Sequence, residues 1–112
     1  MDHLMSQSVA DLPAHIHTLH ILNKTAEHPR AAQCIATLAT ADTVLLIENA
    51  VLSAPEVAVA APCPVFMLAA DARARGLIAK SGAGTDATGA TPQIGYEQMV
   101  QLSALATRII SW

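Results

Sequence analysis

The hydrophobic period changes several times along the chain, and each change marks an element. Residues 15–22, His-Ile-His-Thr-Leu-His-Ile-Leu, are dense in Ile, Leu and Thr and suit a strand that Asn23 and Lys24 end. From Pro29 the spacing becomes helical. Arg30, Gln33, Thr37 and Thr40 form a polar stripe, and Ala31, Cys34, Ile35 and Leu38 an apolar one. The fixed φ of Pro29 suits the first helical position, and Asp42 breaks the pattern. Residues 43–51, Thr-Val-Leu-Leu-Ile-Glu-Asn-Ala-Val, run on without alternation and predict a strand buried on both faces.

A weakly helical crossover follows over 53–61, then a third buried strand over 63–70. Asp71 is placed to cap a helix over 72–80, with Gly76 near its middle or end. Residues 81–92 hold three glycines and read as a loop facing a partner or solvent. A short fourth strand at 93–96, a helix from Glu97 to Arg108 and a terminal strand at 109–112 complete the pattern. Strands alternating with helices predict an α/β domain with a mainly parallel, helix-covered sheet. Residues 1–17 are poorly patterned and read as an N-terminal extension to a domain at 18–112.

Composition narrows the function classes. The 112 residues are 53% hydrophobic and 13% charged, with a formal charge of -3. One core fits that length. No basic block exists to neutralise phosphates, and Phe66, Tyr96 and Trp112 are the only aromatics, so no direct grip on nucleic acid is expected. So few charges on a small domain imply that some apolar surface lies against another subunit. The N-terminus has neither the basic region nor the apolar core of a signal peptide. The apolar run 57–70 is short and broken by Pro62 and Pro64, so no membrane span is expected. Two cysteines make no disulfide framework, and a cytoplasmic protein with reduced thiols is the expectation.

Several stretches, in order, resemble the TusB/DsrH family of sulfur-relay proteins. Leu-His-Ile-Leu-Asn-Lys-Thr at 19–25 resembles its opening strand, and Ala-Asp-Thr-Val-Leu-Leu-Ile-Glu-Asn-Ala-Val at 41–51 its second. Residues 64–77, closing on Ala-Arg-Gly-Leu, resemble the third strand and its helix. Ile-Gly-Tyr at 94–96 resembles the start of the last helix, and Ser-Trp at 111–112 the family's ending. The resemblance covers residues 18–112. It implies a five-stranded DsrE-like α/β subunit, inactive alone, in a hetero-oligomer with DsrE/DsrF-like (TusD/TusC-like) sister subunits. Such complexes pass persulfide sulfur to a small carrier protein with a C-terminal cysteine. They serve tRNA wobble-uridine 2-thiolation or dissimilatory sulfur oxidation.

Candidate chemistry centres on Cys34. A relay thiol must be accessible and ionise readily. Cys34 instead shares the Ala31–Ile35–Leu38 stripe, so a packed core thiol and an auxiliary persulfide acceptor both stay open. The sister subunit's essential cysteine sits at the end of the third strand, where this chain has Met-Leu-Ala-Ala-Asp at 67–71. Cys63, between two prolines, reads as packing. His15 and His17 share a strand face without a further ligand and make a poor metal site, so neither metal nor cofactor is expected. His20, matching the family's early histidine, is expected to hydrogen-bond near a sheet end. Arg73, Arg75 and Tyr96 are candidates for partner contact, and Trp112 for a core plug or a subunit contact. The rival from another class is a stand-alone, self-associating α/β binding module without sulfur chemistry.

Overall fold

A computed structural model describes residues 12–77 and 91–112. Strand β1 (Ile16–Leu22), helix α1 (Pro29–Thr37), β2 (Thr43–Leu46), a 3₁₀ turn (Glu48–Ser53), α2 (Ala54–Ala60), β3 (Val65–Leu68), α3 (Ala69–Ala74), β4 (Gln93–Ile94), α4 (Tyr96–Leu105) and β5 (Ala106–Ser111) follow in order. The five strands pair in parallel in the order β4-β3-β2-β1-β5. The expected α/β class and parallel five-stranded sheet are what the chain forms. β1 begins at Ile16, inside the segment assigned to the extension; residues 1–11, and most of the glycine-rich stretch 81–92, lie outside the described residues.

The order explains the layers. From β1 to β4 each strand adds on the same side of the last, and α1, the 3₁₀ turn, α2 and α3 pack on one face. Ala31, Cys34, Val57 and Ala72 meet Leu22, Val44, Leu46, Val65 and Met67 there. α4 then carries the chain across the other face to β5, burying Leu102 against Ile16, Leu19, Leu45, Phe66 and Ile94. Val44 and Leu46 therefore face one cluster and Leu45 the other, which is why residues 43–46 show no polar alternation.

Five boundaries differ from the sequence expectation. The second strand ends at Leu46, because residues 48–53 turn into 3₁₀ helix. Glu48 there takes φ 52°, a left-handed conformation that L side chains adopt at some cost. Asp71 Oδ2 offsets it by accepting the Glu48 N–H at 2.7 Å. The third strand stops at Leu68, and α3 starts at Ala69, so Asp71 sits inside the first turn and does not cap α3. α3 is shorter than expected because Gly76, at φ 79°, closes it. The Leu77 N–H donates to Ala72 O at 2.8 Å, and the Gly76 N–H to Arg73 O at 3.1 Å.

The last two differences are linked. Tyr96 opens α4 instead of ending β4, and Gly95 precedes it with its N–H donating to Gln98 Oε1 at 2.9 Å. The helix ends at Leu105, so Ala106, Thr107 and Arg108 belong to β5. This edge strand is largely exposed and carries no period-2 apolar pattern to announce it.

Thr43 marks one imperfection in the core. It is 1% exposed, and its hydroxyl has no hydrogen-bond partner among the described residues. Thr43→Val keeps the shape and removes the orphaned hydroxyl, so it should raise stability by about 1 kcal/mol. Chemical denaturation followed by circular dichroism measures this.

Candidate functional site

A line of polar side chains crosses the face of the sheet shared with α1. Along β1, Thr18, His20 and Leu22 point to that face, since side chains alternate. β5 runs in register, with Arg108 opposite Thr18 and Ile110 opposite His20, so Arg108, Ile110 and Trp112 share the same side. The indole Nε1 of Trp112 donates to His20 Nδ1 at 3.1 Å. An indole N–H can only donate, so Nδ1 must accept, and neutral His20 must carry its proton on Nε2. That proton points at Asp42 Oδ2, 3.0 Å away. The Ala39 N–H donates to the same oxygen at 3.1 Å.

His20 and Asp42 are 2% and 5% exposed. Burial alone would raise the Asp42 carboxyl. The hydrogen bonds from His20 and the Ala39 N–H, joined in acid by the positive charge of protonated His20 and His17, outweigh it, and the carboxyl is held below its ordinary value.

Trp112 is fastened on every side. Its backbone N–H donates to Ile21 O at 2.8 Å, and its main-chain oxygen accepts from Lys24 Nζ at 2.7 Å. The Arg30 guanidinium of α1 stands 5.6 Å from the ring centroid. The ring packs on the Leu22–Cys34 cluster and stacks on His20 at 6.1 Å between centroids. Within the chain Trp112 therefore packs partly buried against the core cluster. A buried His–Asp pair invites a general-base reading, but both imidazole nitrogens are committed, one to the indole and one to the carboxylate. Neither partner is a nucleophile, so the line acts as a clamp.

Beside the clamp lies a pocket of about 330 Å³, bounded by His17, Thr37, Asp42, Arg108, Ile110 and Trp112. It exists because α1 leaves the β5 part of this face uncovered.

The other candidate residues are scattered. Cys34 is fully buried, and desolvation, with Cys63 nearby, pushes its thiol up to about 12. Cys63 is half-buried ahead of β3, and burial, with the negative charge of Asp42, pushes its thiol up to about 11. Both are free. Arg75 is tied down: Nε donates to Asn49 Oδ1 at 3.0 Å and Nη1 to Asp71 O at 3.2 Å, bracing α3 on the 3₁₀ turn. Arg73 is exposed. Tyr96 is exposed at the start of α4, with exposed Val100 one turn on. His15 Nε2 meets Thr107 Oγ1 at 3.1 Å, whereas His17 Nδ1 meets Thr18 Oγ1 at 2.9 Å. Among the described residues no three His, Cys, Asp or Glu side chains converge to hold a metal ion. Residues 67–71, the end of β3 and start of α3, present no thiol.

Sequence reasoning singled out His20 and Trp112, but missed Asp42, Lys24 and Arg30 as their partners. Asp42 registered only as a break in a helical pattern. Nothing local marks it, because its partner is 22 residues away on another strand.

The clamp gives two expectations. Trp112→Phe removes the indole donor and leaves His20 Nδ1 unpaired in a buried site, lowering stability by about 1–2 kcal/mol; Trp112→Ala loses packing too, about 2–4 kcal/mol. Urea unfolding followed by circular dichroism separates them. Because the folded Asp42 carboxyl is depressed, its stabilisation is complete above the ordinary value of 3.8 and is lost as pH falls through the folded value. Asp42→Asn should flatten that part of the acid limb in thermal melts between neutral and acid pH.

Comparison with curated proteins finds no match. A family model described as DsrH like protein matches residues 25–108, from the turn before α1 to the middle of β5. The match takes in most of the sheet, both thiols, Asp42 and Arg108, and so more than half of the chain. Among the described residues no helix is long and apolar enough to cross a membrane. The chain belongs to the DsrH-like family, which gives it a role related to sulfur relay.

Proposed function

We propose that this chain is a mainly structural subunit of a hetero-oligomeric persulfide-relay complex, placed beside DsrE/DsrF-like sister subunits that hold the reactive cysteine. The observation that carries this reading is the position of the thiols. The whole chain has two, Cys34 and Cys63, and neither lies at residues 67–71. Relay chemistry runs through an accessible thiolate. Cys34 is sealed under α1 with its thiol raised to about 12, which supports a packing role at rest. To serve as an auxiliary persulfide acceptor it would first need the α1 face to open.

The exposed apolar residues support the assembly. Tyr96 and Val100 stand on the outer face of α4, Ile109 on β5, and Leu52 and Val59 on the opposite layer. Such residues on a sparsely charged domain are covered by partners in a complex. The sulfur then passes to a small carrier with a C-terminal cysteine, for tRNA wobble-uridine thiolation or for sulfur oxidation, in the cytoplasm.

Co-expression with DsrE-like and DsrF-like subunits should give one hetero-oligomer on size exclusion. Homo-oligomers that ignore those subunits would favour the stand-alone binding module instead. On thiolate fraction alone, the rise from 9.0 to about 12 makes native Cys34 react with iodoacetamide about a thousandfold more slowly than unfolded chain. One sulfur gained from a persulfide donor by wild type and Cys63→Ser, but not by Cys34→Ser, would overturn the packing role and favour the oxidation branch.

A further inference from the structure

The pocket beside the clamp is not used by the relay reading, and its lining carries a specific charge pattern. Its volume, about 330 Å³, lies in the range that takes a small molecule. Asp42 is part of its lining. Oδ2 of that carboxylate already accepts from His20 and Ala39. Oδ1 has no hydrogen-bond partner among the described residues: His17 Nδ1 stands 3.7 Å from it and is engaged with Thr18 Oγ1. Although Asp42 is only 5% exposed, Oδ1 opens onto the pocket, where its unused lone pairs can take a donor, best a cationic one.

The opposite sign stands in the same chamber. Arg108 of β5 is exposed and pairs with no carboxylate among the described residues, and its planar fork fits a carboxylate in two-point contact. Ala39, Ile110 and Trp112 add apolar wall to the same pocket. A simple anion drawn to Arg108 would face Asp42, and a simple amine drawn to Asp42 would face Arg108 and His17. A molecule carrying both charges a few bonds apart satisfies both, with an apolar side chain against Ile110.

We propose that the pocket between β5 and the end of α1 binds a small zwitterion of the free α-amino-acid class, its ammonium on Asp42 Oδ1 and its carboxylate on Arg108. This goes beyond the relay role and does not depend on it.

The test is a nuclear magnetic resonance titration of the full 112-residue chain, labelled with nitrogen-15, using three matched probes. L-leucine carries both charges, 4-methylpentanoate lacks the ammonium, and 3-methylbutylamine lacks the carboxylate. Leucine should give saturable shifts at the amides of Thr18, Asp42 and Arg108, with each half-probe weaker by roughly tenfold, the worth of one charged hydrogen bond. Arg108→Gln, at an exposed position that leaves the clamp intact, should weaken leucine by a similar factor and leave 3-methylbutylamine no weaker. Absence of saturable leucine shifts would overturn the assignment. Equal binding of all three probes, or full leucine affinity in Arg108→Gln, would overturn it as well.

Discussion

The indole N–H of Trp112 can donate and cannot accept, and much of this chain's arrangement follows from that restriction. It obliges His20 to present a bare Nδ1, which places the imidazole proton on Nε2 and aims it at Asp42. Three segments far apart in the chain are thereby joined: the end of β5, the middle of β1 and the turn that launches β2. β5 needs such a fastening. It is an edge strand with one neighbour, and its side chains are largely exposed, so hydrophobic burial holds it only loosely. Lys24 and Arg30 complete the attachment from above the sheet.

The same restriction bears on function. A histidine between an aspartate and a third group is a familiar catalytic motif, yet here the third group is a donor with no chemistry to offer. The thiols are withheld too, one by complete burial and both by raised pKa values. A DsrH-like chain built this way contributes shape: a clamped edge, apolar residues on its outer helices and a charged pocket between β5 and α1.

The sequence disclosed β2 and β3 because they are buried on both faces, and α1 because Pro29 and the Ala31–Cys34–Leu38 stripe obey helical spacing. It misjudged places where tertiary contacts overrule local preference. Residues 43–51 read as one strand, but Asp71 accepts the Glu48 N–H where the chain bends into 3₁₀ turn. Ala106 to Arg108 read as helix, since an edge strand open to solvent has no alternation to display. Of the site, His20 and Trp112 were legible as individual residues through the family resemblance. Their connection through Asp42 was not, because a hydrogen bond between residues 22 or 92 positions apart leaves no trace in spacing.

The central claim, that Trp112 fixes the proton of His20 and so locks the edge strand, is tested most directly by nitrogen-15 spectroscopy of the imidazole at neutral pH. The account requires His20 to be the Nε2–H tautomer, with a bare Nδ1 coupled to a Trp112 indole proton that exchanges slowly with water. A His20 protonated on Nδ1, or an indole proton that exchanges as in a free peptide, would contradict it.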